Sequence, residues 1–309
     1  MSFHTLFAYW PLKLAVIVIF LGSAMLVHFR GKVRHRFSRQ LTDHSTFLAP
    51  YNALVYLFSR VPSKPFLREE DLPGIAALTA KWEIIRDEGM RLMDDGMVRA
   101  SEGYNDLGFN SFFRRGWKRF YLKWYDSPLP SAEKLCPETV KALEQVPGLH
   151  GAMFAMLPPG SRLVSHRDPF AGSLRYHLGL RTPNSDDCFI EVDGQRRSWR
   201  DGQALVFDET FIHFAENKTD INRLILFCDV ERPLRSRLMT GINRFVIHHL
   251  VKATATQNME GDKVGFANKA FGSVYKIRLV GKRLKKWNRK VYYACKYAIV
   301  LGVLVLIFY

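Results

Sequence analysis

The stretch Gly160–Leu180, GSRLVSHRDPFAGSLRYHLGL, carries the strongest fold signal in the chain. Its second half, Ser173–Leu180, alternates between apolar and polar side chains, which is the period-two pattern of a β-strand. Its first half carries His166 and Asp168, and side chains two residues apart in an extended segment point to the same side. The stretch therefore predicts a strand that directly follows two side chains able to bind one metal ion.

Short strands separated by turns continue on both sides of this stretch. We predict them at Gly151–Leu157, Cys188–Val192, Arg197–Trp199, Ala204–Phe207 and Arg223–Val230. Asp193-Gly194, between two of these strands, is a strong hairpin turn signal. Upstream, apolar residues at three- and four-residue spacing predict helix within residues 68–98. We expect an α+β chain in which residues 67–240 form a double-stranded β-helix, or jelly roll, with flanking helices.

The N-terminal region contains a candidate transmembrane helix at residues 9–29. Leu14–Phe29 has no formally charged side chain, and the whole segment is long enough to cross a bilayer. Residues 30–66 follow as a basic juxtamembrane segment, and the positive-inside rule places that side in the cytoplasm. A cleaved signal peptide is the alternative, because Gly22-Ser23-Ala24 is similar to a small-residue cleavage site.

The C-terminal region repeats this pattern in reverse. Residues 241–290 are predicted to be a basic, helical, membrane-proximal region, and residues 291–309 a second terminal transmembrane helix. A hydrophobic helix packed on the domain is the alternative for this tail. The basic clusters at both ends predict that the middle of the chain faces the cytoplasm.

Charge and cysteine content narrow the choice of partner and compartment. The formal net charge is +16, and much of the excess flanks the two most apolar segments. The expected partner is therefore an anionic membrane surface rather than nucleic acid. The four cysteines have no metal-site spacing, and their scatter favours a reducing compartment over a disulfide framework. Cys188 and Cys228 are expected to be buried strand residues.

A third metal ligand is predicted from a later part of the chain. His213 follows the strand Ala204–Phe207 and a short turn. Two imidazoles and one carboxylate on one face of an ion leave three positions open, and this set suits non-haem Fe(II). We therefore predict His166, Asp168 and His213 as the catalytic metal ligands. A loop histidine and a turn-forming aspartate are the alternative interpretation of the first two.

Three further residues are candidates for binding 2-oxoglutarate, which with O₂ would take the open metal positions. Arg223 lies ten residues after His213, and the bidentate fork of arginine suits the distal carboxylate of this co-substrate. Arg175 and His177 share one face of the strand after the His-Arg-Asp triplet. They are candidates for contacts to 2-oxoglutarate or to bound oxygen.

Other polar groups have interpretations that the sequence leaves open. Phe112–Tyr125 interleaves basic and aromatic residues, which suits either a lipid headgroup contact or a strand with its charges outward. Asp208 and Glu209 are expected to form the turn before His213. Three arginines around Pro233 are expected to form a solvated or lipid-facing patch: Arg232, Arg235 and Arg237.

The chain resembles the aspartyl/asparaginyl β-hydroxylase family over roughly residues 150–233. The resemblance rests on these motifs: Gly160-Ser161, His166-Arg167-Asp168, Leu174–Leu180, Trp199, Gly202, Phe207–Thr210, His213 and Arg223–Val230. A longer similarity, to the bacterial lipid A 2-hydroxylases of this family, includes His28–Lys32, Asn110–Tyr125 and Asp229–Arg237. By this resemblance the family's co-substrate arginine falls on Arg223, and its strand arginine and histidine fall on Arg175 and His177.

The resemblance implies a function as well as a fold. It implies Fe(II)- and 2-oxoglutarate-dependent hydroxylation at C2 of a fatty acyl chain of lipid A. The implied location is the cytoplasmic face of a bacterial inner membrane, and no protein partner is predicted. Two alternatives remain: a protein aspartyl/asparaginyl β-hydroxylase with the same metal centre, and a non-catalytic jelly-roll scaffold bound to the membrane.

Overall fold

The computed structural model describes residues 10–40, 43–100, 106, 109–125 and 129–308. Helix α1, Trp10–Phe29, is the one described helix that is long and apolar enough to cross a membrane. The predicted N-terminal apolar helix is therefore confirmed, while the crossing itself stays a prediction. Tyr9, the first residue of the predicted span, lies outside the described residues.

Eight further helices of the described chain lie between α1 and residue 149. They are α2 (Phe37–Gln40), α3 (His44–Phe47), α4 (Ala49–Phe58), α5 (Ala76–Thr79), α6 (Trp82–Asp94), α7 (Asn110–Phe113), α8 (Pro130–Leu135) and α9 (Pro137–Glu144). The predicted helical region 68–98 thus contains α5 and α6, preceded by a 3-10 turn at Glu69–Asp71. The interruption between α5 and α6 lies at Ala80 and Lys81.

Nine strands form two sheets. The strands are β1 (Phe66–Leu67), β2 (Lys118–Trp124), β3 (Leu149–Leu157), β4 (Ser173–Arg181), β5 (Cys188–Val192), β6 (Gln195–Ser198), β7 (Ala204–Phe207), β8 (His213–Asn217) and β9 (Arg223–Glu231). The larger sheet has the order β1-β7-β4-β9-β3-β2, and the smaller has the order β6-β5-β8. All pairings within the two sheets are antiparallel.

The strand order confirms the predicted jelly roll. In the larger sheet, β9 lies between β3 and β4, so the last strand of the domain pairs with two early ones. The segment between β3 and β4 extends the smaller sheet, because bridges join Arg162 to Glu216 and His166 to His213 on β8. Counting that segment, the eight strand segments from β3 to β9 are divided between the two sheets, as in a double-stranded β-helix.

Two local predictions need adjustment. The Asp193-Gly194 hairpin is present, and both residues have positive φ (50° and 79°), as a two-residue hairpin turn demands. Because that turn is so tight, Gln195 already pairs with Val192, and β6 spans Gln195–Ser198 instead of Arg197–Trp199. Strand β4 is buried on both faces up to Leu180. One face packs under the helices, where the Tyr176 hydroxyl lies 2.8 Å from that of Thr79.

The C-terminal region is helical. Helix α10 spans Arg237–Val246, α11 spans Phe266–Trp287 and α12 spans Arg289–Phe308, and α11 packs against α12. Several side chains of α12 between residues 300 and 308 lie outside those that the structure describes, and so does Tyr309. The second transmembrane helix predicted at 291–309 is therefore not confirmed. Cys188 and Cys228 are buried strand residues, as predicted.

Candidate metal centre and co-substrate cavity

A pair of backbone hydrogen bonds brings the two predicted histidine ligands together. The amide of His166 donates to the carbonyl of His213 (3.0 Å), and the amide of His213 donates to the carbonyl of His166 (2.7 Å). The two imidazole centroids lie 4.3 Å apart. Asp168 is fixed nearby because its amide donates to the carbonyl of Glu209 (2.9 Å). One ligand atom from each of His166, Asp168 and His213 lies within 4.8 Å of the others.

Each imidazole is oriented by a carbonyl two residues earlier in the chain. Nδ1 of His166 lies 2.8 Å from the carbonyl of Val164, and Nδ1 of His213 lies 2.9 Å from that of Phe211. A carbonyl only accepts, so both Nδ1 atoms carry a proton, which leaves Nε2 of each ring as the atom that can bind a metal. Burial, with the neighbouring His166, lowers the pKa of His213 to about 3. His213 is therefore neutral, which is the form that binds a metal.

The carboxylate of Asp168 is held by Arg175. Nη2 of Arg175 donates to Oδ2 of Asp168 at 2.9 Å, while Oδ1 faces Nε2 of His166 at 3.5 Å. Arg175 also pairs with Glu209 and, through Nε at 2.8 Å, with Asp229. Its predicted contact with the co-substrate therefore competes with three carboxylates. The role that these contacts support best is orienting Asp168, because a hydrogen bond to one oxygen of a carboxylate fixes the direction in which the other oxygen can bind a metal.

The charges around Arg175 fit a divalent cation. Three carboxylates, those of Asp168, Glu209 and Asp229, surround the guanidinium of Arg175. Burial raises the pKa of Glu209 well above its usual range and that of Asp229 above its usual range. Burial alone would also raise the pKa of Asp168, but Arg175 and the two histidines hold it below its usual range. Two imidazoles and an ionised carboxylate form the donor set expected for Fe(II).

A cavity beside the three ligands contains buried polar atoms without protein partners. Arg223, at the start of β9, is 2% exposed, and its guanidinium lies 4.3 Å from the centre of the Trp199 ring. Among the described residues, no hydrogen-bond partner is found for Nε of Arg223, Nε1 of Trp199 or either ring nitrogen of His177. Burial lowers the pKa of Arg223 to about 10, so it remains a cation, and it lowers that of His177 well below its usual value.

These unpartnered atoms fit an anionic ligand. A buried donor without a partner costs about 1–3 kcal/mol, so several in one cavity are unfavourable unless a ligand satisfies them. Arg223, His177 and the two histidine ligands line the same cavity. The cavity therefore contains both a cation that suits a carboxylate and two of the candidate metal ligands. Trp199 was noted in the sequence only as part of a family motif, and its indole N–H could not be placed from that pattern.

The remaining wall of the cavity is apolar. Phe112 lies next to the metal position, with its ring centroid 4.9 Å from that of His166. Phe109 stacks on Trp117 at 4.9 Å. The apolar lining consists of Phe109, Phe112, Trp117, Leu163, Ile190, Phe207, Ala215, Ile225 and Phe227. The cavity therefore offers a charged end and a wall that suits hydrocarbon.

The segment Phe112–Tyr125 is in part a strand, as one of its two predicted interpretations required, while the lipid headgroup contact stays a prediction. Residues Lys118–Trp124 form strand β2, while Phe112 lies in the cavity wall. Arg119 is not directed outward, because it is buried and pairs with Asp106 at 3.1 Å. Asp106 lies 13 residues before Arg119, outside the basic and aromatic segment, whose pattern gave no signal of the pairing.

A second buried charge cluster centres on Asp208, in the turn before His213. Asp208 is fully buried and accepts hydrogen bonds from Arg30 (2.6 Å) and Arg232 (2.8 Å). Asp208 does form the predicted turn, since the amide of Phe211 donates to its carbonyl. The prediction that Arg232 is solvated or lipid-facing is wrong, because it is 2% exposed and also donates to the carbonyl of Ala171. The guanidinium of Arg30 packs over the rings of Tyr56 and Phe211.

The sequence matches a known family across this site. The family model described as Aspartyl/Asparaginyl beta-hydroxylase matches residues 79–233, half of the chain. The chain belongs to this family. The match includes every candidate metal and co-substrate residue, and it makes the chain a member of a family of hydroxylases.

Individual members of the family are similar to parts of the chain. An ornithine lipid ester-linked acyl 2-hydroxylase from Rhizobium tropici is 43% identical over 121 residues, which cover 39% of this chain and 43% of the relative. The human aspartyl/asparaginyl beta-hydroxylase is 29% identical over 167 residues, which cover 52% of this chain and 21% of the relative. Each alignment thus spans less than half of the relative's own length.

Among solved structures, a Pseudomonas putida prolyl-4-hydroxylase matches with 18% identity and a TM-score of 0.33. That match covers 50% of this chain and 88% of the other. A score this low supports no conclusion about function, and the jelly roll is identified here by its strand order.

Proposed function

We propose that this protein is an Fe(II)- and 2-oxoglutarate-dependent dioxygenase that hydroxylates C2 of a fatty acyl chain of lipid A. The observation that carries the proposal is the cavity itself. It combines three metal-binding side chains, a buried arginine without a carboxylate partner among the described residues, and an apolar wall. A reaction that needs a metal, a dicarboxylate and a hydrocarbon would use all three parts.

His166, Asp168 and His213 would hold the iron, with Arg175 keeping one carboxylate oxygen of Asp168 directed toward it. Bound iron supplies the activation of O₂, so that one oxygen atom enters the substrate C–H bond and the other enters succinate as 2-oxoglutarate loses CO₂. Two imidazoles and one carboxylate would leave further coordination positions of the ion for these reactants.

Arg223 would bind the distal carboxylate of 2-oxoglutarate. The ion pair forms away from water, where a charge-assisted bond is strong. The unpartnered donors on Trp199 and His177 would complete the contacts, since both line the same cavity. The apolar wall excludes water from the reacting carbon and leaves the acyl chain in a hydrocarbon-like environment.

The choice of a lipid acyl substrate has two supports. Phe112, next to the metal position, would contact methylene groups, and burying each one contributes about 0.8 kcal/mol. The similarity to an ornithine lipid ester-linked acyl 2-hydroxylase points to the same chemistry, at C2 of an acyl chain. Helix α1 would anchor the enzyme in the bacterial inner membrane with the domain at its cytoplasmic face, next to anionic lipid.

A protein aspartyl/asparaginyl β-hydroxylase is the second candidate, and the family description favours it. Its substrate side chain is an acid or an amide, which would need polar partners beside the metal. On the described residues that position is taken by Phe112, and Arg175 is already paired with three carboxylates. These contacts favour the acyl chain.

Mass spectrometry of lipid A from cells with and without the gene tests the proposal. We expect a lipid A species heavier by one oxygen only when the gene is present, and its loss in Asp168→Ala. Asp220→Ala removes an exposed carboxylate outside the cavity and serves as the matched control. If lipid A is identical in all four strains while hydroxylated aspartate or asparagine appears in protein, the second candidate is correct.

A further inference from the structure

Helix α10 presents an apolar stripe to the outside of the molecule. Leu238, Ile242 and Phe245 are 73%, 38% and 63% exposed. Their spacing of four and three residues puts them on one helical face. The opposite face is fixed to the domain, because Met239 and Asn243 are buried and Nδ2 of Asn243 donates to the carbonyl of Gly172 (3.1 Å). The stripe is therefore rigidly held and is not covered by the described chain.

Helix α4 extends the apolar surface toward helix α1. Leu54 and Leu57 on α4 are exposed. The Tyr51 hydroxyl of α4 donates to Oδ1 of Asn243 on α10 at 2.5 Å, and the amide of Arg235 donates to the carbonyl of Phe58. Helix α4 also packs against α1. The exposed apolar residues of α4 and α10 thus adjoin the one described helix that is apolar enough to enter a bilayer.

The contact between α4 and α1 is anchored where α1 ends. Arg30 directly follows α1, and its guanidinium lies 4.0 Å from the centre of the Tyr56 ring on α4. In addition, the Arg167 guanidinium donates to the carbonyl of Val27 in the last turn of α1 at 2.6 Å. The surface formed by α4 and α10 is therefore held at a fixed position relative to the end of α1.

Basic residues border the apolar stripe. Arg235 and Arg237 are exposed at the start of α10, and Arg244 is exposed on its flank, where it pairs with Glu231. An apolar helical face with a basic border is the pattern of a helix that lies in the interface of an anionic membrane. Each arginine near such a surface adds to the attraction. A second copy of this chain would instead bring like charges together.

We propose that α10 lies in the interfacial plane of an anionic bilayer, with Leu238, Ile242 and Phe245 among the acyl chains. Arg235 and Arg237 contact lipid phosphates, and Leu54 and Leu57 of α4 continue the embedded surface toward α1. The inference rests on α1 being a membrane anchor and does not depend on the hydroxylation reaction. With α1 and α10 both in the bilayer, the catalytic domain keeps one orientation to the lipid surface.

Spin-label accessibility in the full-length protein tests this proposal. The exposed Cys295 is replaced by serine, and the three other cysteines are buried and poorly reactive: Cys136, Cys188 and Cys228. A single label is placed at Ile242→Cys, with Asp220→Cys as the exposed control. The labelled protein is reconstituted into vesicles of phosphatidylcholine and phosphatidylglycerol. Power saturation then compares accessibility to oxygen, which enters bilayers, with accessibility to a water-soluble nickel chelate.

We expect the label at 242 to be accessible to oxygen and protected from nickel, and the label at 220 to show the reverse. The double substitution Arg235→Gln and Arg237→Gln should make the label at 242 more accessible to nickel in anionic vesicles. With the native arginines, vesicles of phosphatidylcholine alone should also leave this label more accessible to nickel than anionic vesicles do. Nickel accessibility at 242 equal to that at 220 overturns the proposal. So does protection from both reagents, which would mean that protein covers the stripe. Neither readout requires iron, 2-oxoglutarate or enzyme turnover.

Discussion

Replacing Asp208 by asparagine should destabilise the protein strongly, because two buried cations depend on its charge. Asp208 is fully buried and bonds to Arg30 at 2.6 Å and to Arg232 at 2.8 Å. Asparagine keeps the shape of the side chain but removes the charge that both guanidiniums require. Removing one partner of a buried ion pair costs about 3–5 kcal/mol. For a domain of this size, that loss corresponds to a melting temperature lower by about 10 °C.

The measurement is thermal unfolding of the full-length protein in detergent, followed by circular dichroism. Asp186→Asn is the matched control. The same substitution there removes an ion pair of similar length to Arg200, but the carboxylate of Asp186 is 86% exposed. Exposed pairs contribute little, so the control should melt with the wild type. A melting temperature for Asp208→Asn that differs from the wild type by less than about 2 °C would refute the stabilising role assigned to this cluster.

The pH dependence of stability gives a second readout of the same residue. Burial would raise the pKa of Asp208, but Arg232 and Arg30 hold it well below its usual range. A carboxyl with a lowered folded-state pKa stabilises the protein above its unfolded pKa, and that contribution is lost as the pH falls further. The difference in melting temperature between wild type and Asp208→Asn should therefore be full at neutral pH and shrink below about pH 4.

Further substitutions separate the proposed roles within the cavity. Arg175→Lys should lower the affinity for iron about 10- to 100-fold, because lysine lacks the planar guanidinium that contacts both Asp168 and Asp229. Competition with a chelator measures the iron affinity. Arg223→Ala should raise the KM for 2-oxoglutarate by about tenfold or more, with Arg223→Lys intermediate, as measured by succinate formation. Phe112→Ala should raise the KM for lipid and leave succinate formation without lipid nearly unchanged. An unchanged affinity or KM in any of these assays would contradict the corresponding role.

The convergence of the candidate metal ligands could be predicted from sequence because their signals are local. His166 and Asp168 are two residues apart in an extended segment, and that spacing alone directs both side chains to one side. The alternating pattern of Ser173–Leu180 predicted that these residues lie in a β-rich domain. His213 could be proposed because it follows a short strand and a turn, although its bridge to His166 is visible only in the folded chain.

The parts that sequence could not reveal depend on pairing between distant residues. Arg30 and Asp208 are 178 residues apart, so neither local pattern indicates the other. Arg232 and Arg119 were taken for surface cations because charge usually lies outside, yet both are buried beside carboxylates. Arg175 was predicted to bind co-substrate, and only the fold shows the three carboxylates that surround it. Burial with a partner overrides the usual preference of arginine for solvent.

The central claim is that this cavity couples 2-oxoglutarate oxidation to hydroxylation of a lipid acyl carbon. The most direct test combines purified full-length protein, Fe(II), 2-oxoglutarate, ¹⁸O₂ and lipid A, and analyses the lipid by tandem mass spectrometry. We predict one ¹⁸O atom at C2 of an acyl chain, succinate formed in equal amount, and neither product with Asp168→Ala. Succinate formation without incorporation of ¹⁸O into the lipid, or equal labelling of the lipid by the Asp168→Ala variant, would contradict this function.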